Sequence, residues 1–356
     1  MNSDIDRTTE GAIGDTIADG QAAATGLRPA RELGPAQFRR IVELARLAPS
    51  VHNTQPWWWQ VSGTSLELWA DRERGLPVSD PLGRNLVISC GAALHHTAVA
   101  AEAVGARAQI EYLPKGADSD LMARIDLVPH HPSVEALARL TMLGQRHTDR
   151  RRFTSWPVPD ESVAHLAEEG RRWGASVLAV TDRALRVEIE DLLEEARRRQ
   201  QGDPRISDET EAWIDHDVAD GVPSATVPRF DGARGERPTR FDSSLIADTT
   251  ESVVRGTDGL LVVSTPDDGP LSWLHAGASL SALWLLATGH GLSVVPLSQA
   301  VEVERTRLAL ERLLPAPSRV PQILARVGWQ EIGRGDLPRS PRRPVDELLR
   351  GLSRPA

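Results

Sequence analysis

The chain has 356 residues, a formal net charge of −9 at pH 7 and a single cysteine, Cys90. Its length suits one large unit or two packed halves, and its 40% hydrophobic and 26% charged residues are ordinary for a globular protein. No continuous apolar run approaches the roughly 18 residues of a membrane-spanning helix, one cysteine excludes an internal disulfide, and the acidic balance argues against a broad nucleic-acid surface.

Residues 1–30 are polar, acidic and rich in Gly, Ala and Thr. They have neither the basic start nor the apolar stretch of a signal peptide, so we expect a disordered tail on a cytoplasmic protein. Cys90 lies within the run 87–91, Val-Ile-Ser-Cys-Gly. It is predicted to be a small buried residue rather than a catalytic thiol.

A helix and a hairpin follow the tail. Between residues 36 and 48 the apolar side chains recur at helical spacing, and Pro49 ends the pattern. Two short β-prone runs, 57–61 and 66–70, are separated by Ser-Gly-Thr, which is a hairpin signal. The order of helix and then hairpin predicts an α+β domain.

A segment near residue 91 has a copy further along the chain. The sequence Gly-Ala-Ala-Leu at 91–94 recurs as Gly-Ala-Ser-Leu at 277–280, and Gly105 falls on Gly291 at the same offset of 186 residues (277 − 91 and 291 − 105). Each copy then runs into an apolar strand and a proline. Alanine-rich helices coincide easily by chance, but matched glycines at both ends favour an internal duplication.

The duplication predicts a first half at 31–140 and a second half at 141–350. In the second half, apolar periodicity predicts helices at 162–172, 185–199 and 274–287 and strands at 177–180, 259–263 and 323–327. Between about 200 and 250 the pattern breaks down among Gly, Pro, Asp and Arg, over a length too great for an ordinary connection. This insertion is predicted to be a lid or mobile loop, with a disordered spacer as the alternative.

Two arginine clusters stand out against the acidic background. The first is the run Arg146-His147-Thr148-Asp149-Arg150-Arg151, with Arg152 beside it, and the second is Arg339, Arg342 and Arg343. Guanidinium groups and a hydroxyl within a few residues suit a phosphate group. The alternatives are a solvated basic face for the first cluster and a basic tail without a partner for the second.

Proline, hydroxyl and amide side chains meet in residues 48–57, Ala-Pro-Ser-Val-His-Asn-Thr-Gln-Pro-Trp. The prolines fix the backbone on either side, and Ser50, Asn53 and Gln55 can hydrogen-bond the carbonyl and ring-nitrogen edge of a planar heterocycle. A proline-rich turn without a ligand is the alternative. We call residues 48–57 the Pro-Trp box and residues 146–151 the arginine box.

The two boxes resemble those of the FMN-dependent nitroreductases. Chains of that family typically open with an Arg-Arg/His-Ser-x-Arg/Lys box and reach Ala-Pro-Ser-x-x-Asn-x-Gln-Pro-Trp one helix later, whereas here the two boxes occur in the reverse order. The duplicated arrangement is similar to the single-chain nitroreductase-like proteins of actinobacteria that are associated with hypoxia and dormancy. The resemblance covers residues 33–350.

The resemblance implies an α+β nitroreductase fold, built as an internal pseudo-dimer with antiparallel or mixed central sheets flanked by helices. Family members place FMN at the interface of a homodimer, so one fused chain would imitate the dimer as a monomer. The first half keeps only the Pro-Trp box and the second half only the arginine box, which implies one FMN per chain. Neither a nucleic acid nor a membrane is expected as a partner.

The resemblance also implies which residues hold FMN. Arg146 and Thr148, with His147 beside them, would hold the phosphate or ribityl chain, and Arg150 would lie at the flavin N1/O2 edge, where a cation stabilises the anionic reduced flavin. The other implied contacts are Pro49, Ser50 and Asn53 along the ring, Arg339 and Arg342 (or Arg343 in place of Arg342) at the phosphate, and Ser298 and Gln299 beside the flavin N5. No residue is implied as a catalytic acid, base, nucleophile or metal ligand.

The implied activity is that of an NAD(P)H-dependent oxidoreductase, in which hydride passes to the flavin N5 and the electrons then pass to a small organic acceptor, a nitroaromatic or a quinone. The alternative is a protein that stores or sequesters FMN beneath the 200–250 insertion. Ser298-Gln299 favours storage, because family enzymes often have Glu-Gly there.

A metal hydrolase that uses His95-His96 and His130-His131 is a third reading. It is disfavoured because adjacent histidines of a regular helix cannot both face one ion. All four histidines are therefore expected to be structural.

Overall fold

The first of two sheets forms around the tryptophan-rich hairpin. The computed structural model describes residues 33–150, 153–226, 257–315, 319–330 and 338–352. In spatial order β3-β4-β2-β1-β9, the strands of this sheet are Ala106–Tyr112, Leu121–Pro129, Ser65–Ala70, Trp57–Ser62 and Leu349–Arg350. Only β9 runs parallel to its neighbour, β1, so the chain's last described strand returns to the sheet that its first strands build.

The second sheet is antiparallel throughout. In spatial order β5-β6-β8-β7, its strands are Ser176–Ala179, Gly259–Thr265, Val320–Gly328 and Ser293–Leu297. Strand β6 is buried along its whole length. A central antiparallel strand covered on both faces explains its nearly continuous apolar sequence, Gly-Leu-Leu-Val-Val-Ser-Thr.

Helices flank both sheets. They are α1 Pro35–Ala45, α2 Arg84–Ala103, α3 Val134–Gln145, α4 Asp160–Arg171, α5 Arg183–Gln201, α6 Pro204–Ala212, α7 Pro270–Gly289, α8 Gln299–Glu302, α9 Glu304–Leu313 and α10 Val345–Leu348. Short polar side chains begin several of them: Ser133, Asp182 and Asp203 each accept a hydrogen bond from a backbone N–H in the first turn. Three-residue 3₁₀ turns lie at Val51–Asn53, Arg72–Arg74 and Ser224–Thr226.

The two repeated glycine segments meet at the centre of the molecule. Helices α2 and α7 pack along each other, and a Cβ added to Gly91 would overlap the carbonyl oxygen of Leu274, while one added to Gly277 would overlap that of Ile88. Leu274 lies 186 residues after Ile88, the offset of the repeat (274 − 88). The contacts are therefore reciprocal, as in an interface related by a two-fold axis.

His95 of α2 and Ser281 of α7 also occupy equivalent positions. The His95 Nδ1 and the Ser281 Oγ are 2.8 Å apart and 186 residues apart in the chain. This pairing of equivalent residues supports the predicted duplication. The boundaries of the halves, 31–140 and 141–350, stay predictions.

Helix α2 is long and apolar enough, by length and composition, to cross a membrane. However, 83% of its apolar stretch is buried inside the protein. A long helix that is apolar on every side and covered by other elements is a core helix. Here the covering elements include α7, α1 and α3.

Most predicted elements are present, and several further elements were not predicted. The repeated glycine segment at 91 lies inside α2, which begins at Arg84, and the Asp80 carboxylate accepts the Leu86 N–H at 3.0 Å in the first turn of this helix. Strands β4 and β9 and helices α3, α8, α9 and α10 were not predicted. Residues 204–212, within the stretch where the pattern breaks down, form helix α6; the rest of that insertion from 227 to 250, like the 1–30 tail, lies outside the described residues.

We expect Gly277→Ala to destabilise the protein by about 1–3 kcal/mol, because the added methyl group has no room against the Ile88 carbonyl. Urea unfolding of the purified variant would measure the loss. Gly144→Ala is the matched control, because Gly144 is also a helical glycine and no atom of the described residues lies within 4 Å of an added Cβ. This variant should gain roughly 0.5–1 kcal/mol of stability. Equal stabilities for Gly277→Ala and the wild type would contradict the close contact.

Acid should weaken the helix interface through His95. Burial lowers the pKa of His95 to about 3, whereas an unfolded histidine titrates near 6.5. Below pH 6.5 the unfolded chain therefore binds a proton that the folded chain does not, so this stability is present above pH 6.5 and is lost as the pH falls. Between pH 6.5 and 5 the loss should be about 2 kcal/mol. Unfolding curves should show a loss smaller by that amount in His95→Gln, and identical pH dependence in the two proteins would refute the assignment.

Candidate functional site

The Pro-Trp box has an unusual backbone. After α1 the chain enters the turn Val51–Asn53. His52 and Asn53 in this turn have φ angles of 46° and 57°, and Gln55, two residues after the turn, has a φ angle of 49°. Non-glycine residues seldom adopt this left-handed conformation, and they keep it where surrounding contacts enforce it. One such contact is the Ser50 hydroxyl, which accepts the Gln55 N–H at 2.9 Å.

The two amide side chains of the box bind the protein itself. The Asn53 Nδ2 donates to the carbonyl oxygens of Gly221 and Pro341 at 2.8 and 3.0 Å, and its Oδ1 accepts from Arg342 Nη1 at 2.7 Å. Gln55 follows the same pattern, since its Nε2 donates to the carbonyl of Ala219 at 3.0 Å and its Oε1 accepts the backbone N–H of Arg343 at 2.8 Å. Both amides therefore join the 200–250 insertion to the C-terminal segment.

A cavity of about 160 Å³ opens beside the box. Six of the residues predicted from sequence line it: Pro49, Ser50, Thr148, Arg150, Ser298 and Gln299. They come from the box, from the segment after α3 and from the junction of β7 with α8. Apolar side chains of α2, α7 and β8, namely Ile88, Leu280, Trp284 and Ile323, cover its other walls. Mostly apolar walls with a few polar groups are typical of sites for planar cofactors.

A second cavity, of about 70 Å³, adjoins the first and shares Pro49, Ser50, Thr148 and Arg150 with it. The other predicted residues line this smaller cavity: Asn53, Arg146, His147, Arg339 and Arg342. All eleven residues selected from sequence thus border one of two adjoining cavities. Their contacts with a ligand stay predictions.

Arg146 is the most deeply buried cation of the smaller cavity, with 7% of its surface exposed. Its guanidinium lies over the ring of Trp284, 4.7 Å from the centroid, and its Nη2 donates to the carbonyl of Leu47 at 3.3 Å. The same carbonyl accepts from Arg342 Nη2 at 3.2 Å. Arg146 Nε and Nη1 and Arg342 Nε are buried and have no hydrogen-bond partner among the described residues.

The arginines around the smaller cavity repel one another. Burial and then the charge of Arg342 lower the pKa of Arg146 to about 9, and burial and then the charge of Arg46 lower the pKa of Arg342 to about 10. Within the described part of the chain, no carboxylate forms an ion pair with Arg46, Arg146 or Arg342. Buried cations without a counter-ion are costly, so a bound anion would stabilise Arg46, Arg146 and Arg342, which we call the arginine cluster.

Arg150 lies between the two cavities. Burial lowers its pKa to about 10, and the neighbouring Asp149 opposes that shift. Arg339 and His147, in contrast, are exposed at the rim. A guanidinium shared by both cavities can face a ring in the larger one while its neighbours hold an anion in the smaller one.

Several cavity residues were missed by the reasoning from sequence. His52, Asn85, Ser89 and Arg326 all line the larger cavity. His52 belongs to the box and could have been selected by its position there. Arg326 carries no such signal, because it lies on strand β8 and reaches the cavity only through the folding of the sheet. Its Nε lies 2.5 Å from Asp258 Oδ2, and its guanidinium lies over the Phe153 ring.

Other residues singled out from sequence lie elsewhere. Arg343 does not line either cavity, since its backbone N–H and guanidinium bind Gln55, and it pairs with Asp71 at 3.5 Å. Arg342, rather than Arg343, therefore lines the smaller cavity, where the resemblance implies a phosphate contact from one of the two. Burial raises the pKa of the Cys90 thiol, which keeps it protonated and unreactive. Arg151 and Arg152 lie outside the described residues.

The neighbouring histidines do not form a metal site in the described ranges. His96 is fully buried beside His95, and burial and then Arg146 lower its pKa well below the ordinary value. No group of three or more His, Cys, Asp and Glu residues there is arranged to hold an ion. The two histidines thus belong to the core beneath the arginine cluster.

Comparison with known proteins agrees with this geometry. Residues 143–329 match the model of the Nitroreductase family. The chain is 33% identical over 316 residues to the Mycobacterium tuberculosis H37Rv protein named "Putative NAD(P)H nitroreductase Rv3131". The aligned region covers 87% of this chain and 90% of the relative. It is 31% identical over 319 residues to "Putative NAD(P)H nitroreductase acg" of the same strain, with 88% and 95% covered.

Solved structures give a more distant match. The crystal structure of the FMN-dependent nitroreductase NfnB from Mycobacterium smegmatis in complex with NADPH covers 62% of this chain and 100% of its own, at 17% identity and a TM-score of 0.41.

The chain belongs to the nitroreductase family. The family match and the two relatives confirm the resemblance that the boxes indicate. The protein is therefore an oxidoreductase of the nitroreductase type with the α+β fold of that family.

We expect Arg146→Met to stabilise the ligand-free protein. Replacing a buried ion pair by apolar side chains of similar volume is often neutral or stabilising by about 1–4 kcal/mol. Arg146 has no counter-ion among the described residues and is repelled by Arg342, so we expect a gain within that range. Urea unfolding in buffer without phosphate measures it. The control is Arg205→Gln. This exposed arginine pairs with Asp203 and with no other carboxylate of the described residues, so the change in stability should be less than about 0.5 kcal/mol. A large loss of stability in Arg146→Met would show that the guanidinium is satisfied within the protein.

Proposed function

We propose that this protein is an NAD(P)H-dependent FMN oxidoreductase that reduces a small organic acceptor such as a nitroaromatic or a quinone. The observation that carries the proposal is the cluster of Arg46, Arg146 and Arg342, which lacks an acidic partner among the described residues and has buried N–H groups without acceptors. The relatives that are named putative NAD(P)H nitroreductases support NAD(P)H as the electron donor.

The two cavities fit the two ends of FMN. A phosphate supplies the negative charge and the acceptor oxygens that the arginine cluster lacks. An isoalloxazine ring suits the larger cavity, where Trp284 and the aliphatic side chains of Ile88 and Leu280 provide apolar surface. The shared residue Thr148 would face the ribityl chain between them.

Each residue has a proposed role that follows from its position. Arg146 and Arg342 hold the phosphate, with Arg339 and His147 at the exposed rim. Arg150 would face the N1/O2 edge of the ring. Pro49 and Ser50 would line the ring, and Ser298 and Gln299 would lie beside N5.

Asn53 receives a different role from the one implied by the family. Its amide is engaged by Gly221, Pro341 and Arg342, and it borders only the smaller cavity. We therefore place it behind the phosphate-binding arginine rather than on the ring. When bound, FMN supplies the two-electron chemistry by accepting hydride and passing the electrons to the acceptor. The chain's own residues bind it, orient it and exclude water.

Storage of FMN is the second candidate, and two observations favour it. The described part of the insertion packs onto the Pro-Trp box, and its Val222 lines the smaller cavity. An insertion that holds the cofactor in place can also limit the approach of nicotinamide. Ser298-Gln299, in place of the Glu-Gly of many family enzymes, supports the same candidate.

Anaerobic mixing of FMN-loaded protein with NADPH or NADH distinguishes the candidates. We expect the flavin absorbance near roughly 450 nm to bleach as hydride is accepted. Tight FMN binding without bleaching by either nucleotide would favour storage. Failure to bind FMN at all would refute both.

We expect Arg342→Met to weaken FMN binding by about 10- to 100-fold, the effect of losing one hydrogen-bonded charge contact. Binding of riboflavin, which lacks the phosphate, should change much less. Fluorescence titration of both ligands against the wild type and Arg205→Gln provides the measurement and its control. Equal losses for FMN and riboflavin would place the arginine away from the phosphate.

A further inference from the structure

The described part of the insertion contains a small folded loop, residues 213–222, which we call the clasp. Two backbone hydrogen bonds close it: the Asp215 N–H donates to the Val222 carbonyl at 3.0 Å, and the Val222 N–H donates to the Trp213 carbonyl at 2.8 Å. Within it the Trp213 and His216 rings stack with centroids 4.4 Å apart. The clasp is thus an ordered structural unit whose contacts can be followed individually.

Asp220 anchors the clasp to the first half. The buried carboxylate forms an ion pair with Arg74 and lies 2.6 Å from His216 Nδ1. The Arg74 guanidinium also lies over the Trp213 ring, 5.6 Å from its centroid, and its Nε donates to the Thr54 carbonyl at 2.5 Å. None of these four side chains lines either cavity.

Asn53 connects the clasp to the arginine cluster. One end of its planar amide donates to Gly221 of the clasp at 2.8 Å, and the other end accepts from Arg342 at 2.7 Å. Because the amide has donors at one end and acceptors at the other, turning it over would set donor against donor at Arg342 and acceptor against acceptor at Gly221. A fixed Arg342 therefore orients Asn53 for the clasp, and a docked clasp orients Asn53 for Arg342.

We propose that Asn53 is a positioning residue that couples docking of the clasp to occupancy of the arginine cluster by a phosphate group. The inference rests on the phosphate site of the proposed function. A phosphate bound beside Arg342 holds the guanidinium in the orientation that Asn53 needs, and so strengthens the bond to Gly221. Linkage is reciprocal, so a docked clasp strengthens phosphate binding by the same factor.

Hydrogen exchange of the clasp amides tests the coupling. In the wild type, saturating FMN or inorganic phosphate should slow exchange of the Asp215 and Val222 amides several-fold. In Asn53→Ala the same saturating ligand should leave these rates unchanged. Retained slowing in Asn53→Ala would assign the effect to direct contact through Val222, and no slowing in a wild type that binds phosphate would also overturn the proposal.

The reciprocal experiment keeps Asn53 intact. Asp220→Asn removes the charge that pairs with Arg74, away from both cavities, and should speed exchange of the clasp amides. The Kd for FMN should then rise by about 5-fold or more, the lower end of measured couplings between linked sites. Arg205→Gln, on the same insertion but outside the clasp, should change neither quantity. A loosened clasp with an unchanged Kd would refute the coupling, even if Asn53→Ala does not fold.

These outcomes are separate from the test of the reductase. Phosphate-dependent protection of the clasp without bleaching by NADPH or NADH would support the coupling and reject the enzyme. Bleaching without ligand-dependent protection would support the enzyme and reject the coupling. Absence of phosphate and FMN binding would reject both.

Discussion

The approach of α2 and α7 is the contact on which the rest of the molecule depends. At Gly91 and Gly277 the helices are so close that a methyl group would meet a backbone carbonyl, and the contact is reciprocal. Because α2 follows the Pro-Trp box and α7 precedes β7, this distance sets how near the box lies to Ser298. The glycines have no catalytic role, yet they determine whether residues from both halves can border the same cavity.

The cavity that results is electrostatically unfavourable when it is empty. Arg146 and Arg342 share one carbonyl acceptor, the backbone oxygen of Leu47. Burial disfavours the charged form of both side chains and lowers their pKa values. Stacking on Trp284 offsets part of that cost for Arg146. Under the proposed function such a cluster exchanges stability for binding, because an anion would gain the attraction that no carboxylate of the described residues has already satisfied.

Reasoning from sequence selected residues that border the two cavities, but it did not find the contacts of these residues with the rest of the protein. Prolines, glycines and apolar periodicity are local signals, so the box, the hairpin and the repeated helices could be predicted. Helix α3 was missed, although Ser133 caps its start. The partners of Asn53 could not be predicted at all, since Gly221 and Arg342 lie 168 and 289 residues away in the chain and nothing local encodes the pairing.

The long separation also determines how Arg342 is held. Its segment is fixed by the two-residue pairing of β9 with β1, by α10, and by the Arg46 side chain, which donates to the Arg343 carbonyl at 3.0 Å. So short a strand contributes little by itself, and closing a loop of this length has an entropic cost. An anion at Arg342 would add a bond at the point where the C-terminal segment, the Pro-Trp box and the clasp converge. Ligand binding should therefore stabilise the contacts among these three segments more than the α2–α7 core, which is already held by close packing.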